Sequence, residues 1–146
     1  MVLEDDIRLS SAEINVVVHA TENEYKILHS INNVLLITPE KFSHSVSEGH
    51  WGNRILLLTA TVDGQSAKDL IVKIMSSLNG NDKYLLSNLF DKYVDWKGNI
   101  YIRLDKQRIC NGRISLSESD SIRIRFRPVR RYKPSSNLKN YRGLLT

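Results

Sequence analysis

Residues 122–127 have the sequence IRIRFR, a strict alternation of apolar and basic side chains that ends at Pro128. Successive side chains of a β-strand point to opposite faces of a sheet, so this pattern predicts a strand with one apolar face and one basic face. The three arginines would stand in one row, about 6.6–7 Å apart. That spacing is close to the distance between successive phosphates along a nucleic-acid strand.

The same two periodicities, two for strands and 3.6 for helices, predict the other elements of the chain. The predicted strands cover residues 12–19, 42–48, 54–62 and 100–105, with a further pairing over about 107–116. The strands 42–48 and 54–62 would form a hairpin, because a short glycine-containing link joins them. The predicted helices cover residues 22–36, capped by Thr21, a second stretch capped by Ser66, and residues 83–94.

This element order is typical of an α+β domain, because strands and helices are mixed without strict alternation. The simplest packing is a two-layer sandwich, in which one mixed, mostly antiparallel sheet carries the helices on one face. We expect a single domain over residues 1–131 and a basic C-terminal tail over residues 132–146, where no periodic pattern is present. The apolar side chains of the last strand would face the helices and its arginines would face away from them.

Charge is distributed unevenly along the 146 residues. Residues 1–96 hold 8 basic and 13 acidic residues, a net charge of −5, whereas residues 97–146 hold 13 basic and 3 acidic residues, a net charge of +10. A basic half with arginines placed between apolar residues is typical of a nucleic-acid binder. The alternative is a solvated basic face. Too few acids lie nearby to pair the arginines, which favours a bound anion.

Composition and motifs exclude several classes of protein and site. The single cysteine, Cys110, excludes an internal disulfide and multi-cysteine metal sites, and no apolar stretch is long enough to span a membrane. The acidic N-terminus does not have the pattern of a secretory signal, so we expect none, and the single cysteine favours a reduced cytoplasmic setting. No zinc-ligand spacing, Walker loop, dinucleotide fingerprint or nucleophile elbow is present. We therefore expect no metal, no cofactor and no enzymatic activity.

The link of the predicted hairpin, Gly49-His50-Trp51-Gly52-Asn53, is a second candidate for binding. A G-x-x-G loop lets the backbone approach a phosphate closely in one RNA-binding module, and an exposed tryptophan can stack on an unpaired base. The alternative is that Trp51 folds back onto the core. Asn53 and the adjacent Arg54 offer polar contacts at the mouth of the same hairpin.

Three segments together resemble the motifs of an archaeal family of small proteins, identified as predicted exosome-associated RNA-binding proteins. These segments are residues 19–22 (HATE), 48–53 (EGHWGN) and 104–107 (LDKQ), within a match over about residues 12–130. Trp51 and Arg54 depart mildly from the family pattern. The resemblance implies a two-layer α+β fold similar to a large-subunit ribosomal protein. It also implies that Lys106 and Gln107 lie near the basic face at the end of a central strand; a local ion pair with Asp105 is the alternative.

These observations together predict a non-catalytic protein that grips RNA phosphates with an arginine-rich sheet face. Structured or double-stranded RNA is the expected partner, because the basic row lacks the aromatic residues of base-stacking sheets. Association with an RNA-processing complex such as the exosome is expected from the resemblance. The alternative is a subunit that docks an acidic protein or self-associates, so the oligomeric state, including a dimer, stays open. The expected RNA contacts are Gly49, His50, Trp51, Gly52, Asn53, Arg54, Arg103, Lys106, Arg108, Arg113, Arg123, Arg125, Arg127, Arg130 and Arg131.

Overall fold

Five strands in the described residues form an antiparallel sheet in the order β2-β3-β1-β5-β4. The computed structural model describes residues 8–49, 51–129 and 143–145. Its strands are β1 (Leu9–His19), β2 (Phe42–Glu48), β3 (Arg54–Asp63), β4 (Ile100–Asp105) and β5 (Ser121–Pro128). The predicted hairpin of β2 and β3 is confirmed, with Phe42 opposite Ala60 and Glu48 opposite Arg54.

Between residues 8 and 129, in the part of the chain that the structure describes, four α-helices accompany the sheet, so the predicted α+β class is confirmed. They are α1 (Glu24–Leu35), α2 (Gly64–Ser77), α3 (Gly80–Asn88) and α4 (Lys106–Cys110), and 3₁₀ turns cover Pro39–Lys41 and Phe90–Tyr93. In the described part of the chain, every helix is too short or too polar to cross a membrane.

The chain divides into two compact units, each assembled from separate stretches of sequence. The first unit consists of Met1–Ala12, Val62–Ile102 and Ile124–Thr146, and the second consists of Glu13–Thr61 and Arg103–Arg123. The tail expected over 132–146 lies outside the described residues except for 143–145, where Leu145 is buried. A single domain over residues 1–131 therefore stays a prediction.

The core of the first unit is built around α2. This helix buries an apolar stripe that includes Ile71, Ile74 and Met75, each with 0% of its surface exposed. The helix starts earlier than predicted: Asp63, not Ser66, is the N-cap, because its carboxylate accepts the backbone N–H of Ser66 at 3.1 Å. The predicted third helix is likewise shifted. It starts at Gly80, three residues before the expected position, and its α-helical part ends at Asn88.

The core of the second unit joins β1 and β3 to α1. Alternate residues of β1, from Ile14 to Val18, are buried, and α1 contributes a buried stripe that includes Ile31. The cap of α1 is Asn23, whose side chain accepts the backbone N–H groups of Tyr25 and Lys26, so the prediction of Thr21 was wrong.

The strand pairing predicted over 107–116 is largely replaced by a helix. Residues 106–110 form α4, which contacts α1, and only Leu116 keeps a bridge to Leu104 in the described residues of this stretch. Asp105 is the cause, because its side chain accepts the backbone N–H of Arg108 at 2.9 Å and so caps α4 directly after β4.

Two glycines at the start of neighbouring helices provide a matched test of packing in the first unit. A Cβ on Gly64 would lie 2.6 Å from the carbonyl oxygen of Leu9, whereas a Cβ on Gly80 would meet nothing within 4 Å. We expect Gly64→Ala to lower the free energy of unfolding by about 1–3 kcal/mol, because backbone must move. Gly80→Ala should leave it unchanged or raise it by up to about 1 kcal/mol. Urea unfolding of both variants checks this, and equal effects would contradict it.

Candidate nucleic-acid interface

The link between β2 and β3 is a tight loop that presents polar and aromatic side chains. The backbone N–H of Gly49 donates to the carbonyl of Asn53 at 2.6 Å, and that of Gly52 donates to the carbonyl of Gly49 at 3.0 Å. Gly52 has a φ of 75°, in the left-handed region that favours glycine. Trp51 is 84% exposed rather than folded onto the core, and Arg54 at the mouth of the loop is also exposed. His50 lies outside the described residues.

The arginines of β5 take the alternating arrangement that the sequence predicts. Ile122, Ile124 and Phe126 are buried on one side of the strand. On the other side Arg123 and Arg127 are exposed and Arg125 is half-buried. The basic face of this strand is therefore accessible at both ends and more covered in the middle.

Other predicted arginines are also at the surface. Arg103 lies on the exposed side of β4, between buried Ile102 and Leu104. Arg108 on α4 and Arg113 after it are exposed. Arg130 and Arg131 lie outside the described residues.

Lys106 does not lie on a binding surface. Its side chain has 0% exposure, and the ammonium group lies 2.7 Å from Glu22 Oε1, 2.9 Å from Asp120 Oδ1 and 2.8 Å from the carbonyl oxygen of Val17. An ammonium has three N–H donors, and three acceptors surround it here. The expectation of a direct contact between Lys106 and RNA is therefore corrected, and so is its place at the end of a central strand. Lys106 begins α4, after the edge strand β4.

The buried ammonium joins two of the sequence motifs that carried the resemblance. Glu22, in the HATE motif, accepts from Lys106, in the LDKQ motif, and also accepts the backbone N–H of His19 at 2.9 Å. Asp120 Oδ1 lies 3.7 Å from His19 Nε2. These contacts fix the loop between β1 and α1 and tie it to the segment that enters β5.

The same cluster has the donor types of a metal site but already holds a cation. Ligand atoms of His19, Glu22 and Asp120 lie within 4.8 Å of one another. The Lys106 ammonium contacts both carboxylates and neutralises part of their charge. A metal ion would have to displace that ammonium, so we assign the cluster a structural role.

A small pocket beside this cluster brings the first motif close to the hairpin. Its volume is about 80 Å³, well below the roughly 300–1,000 Å³ of typical small-molecule sites. Acidic and basic side chains share its wall, and its lining consists of Val18, His19, Ala20, Glu22, Glu24, Arg54 and Leu56. These dimensions do not suit an enclosed substrate.

Comparison with known proteins connects these motifs to a family. A family model described as RNA binding matches residues 11–127. The chain belongs to this RNA-binding family. It is 30% identical over 119 residues to Uncharacterized protein MJ0213 of Methanocaldococcus jannaschii, covering 78% of this chain and 80% of that protein. It is 28% identical over 121 residues to RNA-binding protein PAB1135 of Pyrococcus abyssi, covering 80% and 79%.

Solved structures share the fold of this member of the RNA-binding family. Mth689, a DUF54 protein from Methanothermobacter thermautotrophicus, is similar with a TM-score of 0.75 and 21% identity, covering 95% of this chain and 99% of that chain. Protein AF2318 from Archaeglobus fulgidus is similar with a TM-score of 0.71 and 25% identity, covering 94% and 99%. The predicted resemblance to an RNA-binding family is confirmed at the level of the family.

Removing the buried ammonium tests its structural role. We expect Lys106→Met to lower the free energy of unfolding by about 3 kcal/mol. This value is at the lower end of the range for breaking a buried ion pair, because the half-exposed carboxylate of Asp120 can be hydrated again once the ammonium is gone. The control is Lys26→Met, which removes the same charge from an exposed position on α1 and should change stability by less than about 0.5 kcal/mol. Urea unfolding measures both, and an equally small effect at Lys106 would contradict the assignment.

Proposed function

We propose that this protein is a non-catalytic RNA-binding protein that holds the phosphates of structured RNA with its exposed arginines. The observation that carries the proposal is the basic side of β5. Arg123 and Arg127 are exposed there, on the side of the strand opposite the buried apolar residues. Guanidinium groups recognise phosphates through two parallel charge-assisted hydrogen bonds, which makes arginine suited to this task.

The charge environment of these arginines supports an anionic ligand. Among the residues that the structure describes, neither Arg123 nor Arg127 takes part in an ion pair. Like charges on one strand face repel one another, so a bound phosphate would relieve that repulsion. Residues 97–146 carry a net charge of +10, which would also attract a polyanion from a distance.

In the second unit, further exposed side chains extend the proposed contacts. Arg103, Arg108 and Arg113 are exposed, and the hairpin loop adds Trp51 and the exposed Asn53 and Arg54. Backbone hydrogen bonds of Gly49 with Asn53 and of Gly52 with Gly49 close this loop. A fixed turn loses little conformational freedom when it meets a phosphate.

Structured RNA remains the proposed partner, because the exposed positions of β5 are arginines rather than the aromatic residues of base-stacking sheets. The resemblance noted above supports two further proposals. The first is that the protein associates with an RNA-processing complex such as the exosome, and the second is that its fold is similar to that of a ribosomal protein. PAB1135, the relative of Pyrococcus abyssi, carries the name RNA-binding protein, which supports the proposed function.

The salt dependence of binding tests the proposal. We expect the affinity for a hairpin RNA to fall steeply with salt, and the slope of log K against log salt to fall by about 1.4–1.8 in Arg123→Ser/Arg127→Ser, because each lost phosphate contact removes about 0.7–0.9. Fluorescence anisotropy of labelled RNA at several salt concentrations measures both quantities.

A charge-matched variant controls this experiment. Lys41→Ser/Lys73→Ser removes two exposed positive charges from other parts of the chain. Its slope of log K against log salt should differ from the wild-type slope by less than the loss of about half a phosphate contact would cause. The proposal fails if wild-type binding does not change with salt, or if both double variants lose the same slope. Circular dichroism of each variant confirms that the fold is intact.

A further inference from the structure

One carboxylate makes four of the hydrogen bonds that hold the turn preceding β4. Asp95 Oδ1 accepts the backbone N–H groups of Lys97 and Asn99, both at 2.9 Å, and Oδ2 accepts the side-chain amide of Asn99 and the hydroxyl of Tyr101, both at 3.0 Å. The backbone N–H of Asp95 donates to the Asn99 carbonyl at 3.0 Å, and Gly98 adopts a φ of 87°. The turn is therefore rigid at both of its ends.

The hydrogen bonds also keep this carboxylate charged. Burial raises the pKa of Asp95, but the hydrogen bonds from Asn99, Tyr101 and Lys97 outweigh it and bring the pKa below its ordinary value. The carboxylate is thus ionised throughout the neutral range, where it can keep accepting these hydrogen bonds.

Trp96 projects from this rigid turn into solvent. Its side chain is 85% exposed, and the ammonium of Lys97 lies 5.0 Å from the centre of its ring. A cation at that distance is attracted to the face of the ring. Most of the indole surface is nevertheless accessible to a ligand, and the exposed side chain contributes little to the packing of the protein.

Basic and aromatic side chains of the same unit lie on the strands that follow. Tyr101, 44% exposed, lies on the exposed side of β4, and β5 is the strand next to β4 in the sheet. Arg125 and Arg127 belong to the part of β5 that lies in this unit. An exposed indole beside a cation, within a unit that also carries arginines, has the composition of sites that bind unpaired nucleotides.

We propose that Trp96 is a stacking platform for an unpaired nucleobase of the RNA that the protein binds. This inference rests on the proposed function and adds to it a subsite in the first unit. The base would stack on the indole, while Lys97 would move from the ring to the neighbouring phosphate. Because the Asp95 turn holds the backbone around Trp96 before binding, stacking would require little further ordering of the backbone.

Single-tryptophan variants test this proposal, since the chain has two tryptophans, Trp51 and Trp96. In Trp51→Phe, the remaining fluorescence reports on Trp96 alone. We expect it to be quenched by a hairpin RNA with a short uridine overhang and much less by the same hairpin with a blunt end. Trp96→Ala should weaken binding of the overhang RNA by roughly 5- to 150-fold and leave the blunt hairpin nearly unaffected.

Two further variants separate stacking from other effects. Trp96→Phe keeps an aromatic ring and should recover part of the lost affinity, whereas Tyr84→Ala, which removes another aromatic side chain, 74% exposed, should bind both RNAs as the wild type does. Thermal unfolding of Trp96→Ala should match the wild type, because the side chain is exposed.

The outcomes distinguish the two proposals. In one outcome, the wild type binds both RNAs with a steep salt dependence, and Trp96→Ala shows the same ratio of affinities for the overhang and blunt RNAs as the wild type. That result would overturn the stacking subsite and leave the proposed function standing. If the wild type shows no salt-dependent binding to either RNA, both proposals fall.

Discussion

The contact between the buried Lys106 ammonium and the carboxylates of Glu22 and Asp120 organises the second unit. A fully buried lysine is stable only when acceptors surround it, and here two carboxylates and the Val17 carbonyl do so. The ion pair positions the loop that leads into α1 and the segment that leads into β5. Two of the three sequence motifs that resemble the RNA-binding family thus serve to build the scaffold, whereas the RNA contacts that we propose are the arginines and the hairpin loop.

The alternation in β5 made the arginine face predictable, because burial of Ile122 and Phe126 on one side forces the intervening side chains to the other. Lys106 was misplaced although the sequence carried a signal. Ile100, Ile102 and Leu104 are buried at every second position, and Lys106 is the next position in that phase. A lysine in a buried phase indicates an internal ion pair, but its partners, which lie more than ten residues away, could not be identified from spacing.

The observed starts of α1 and α2 differ from the predicted ones because other side chains cap these helices. Thr21 and Ser66 have the right side chains for a cap, but competing acceptors stand nearby. Asn23 caps α1, while the neighbouring Glu22 is engaged by Lys106, and Asp63 caps α2 from the end of β3. Trp96 lies in a turn that is held by hydrogen bonds to Asp95, and no periodicity in the sequence encodes those bonds. Local patterns therefore located the elements, and side-chain hydrogen bonds to nearby backbone N–H groups decided where the helices start.

The closed arrangement around Lys106 also constrains how this family can diverge. Loss of the ammonium would leave two carboxylates facing each other, and loss of a carboxylate would leave a buried cation short of acceptors, so intermediate sequences that change one member are disfavoured. A simultaneous replacement of all three by apolar side chains would leave no unpaired charge behind. We therefore expect positions 22, 106 and 120 to covary among homologues. A homologue should either have all three charged residues or have replaced all three.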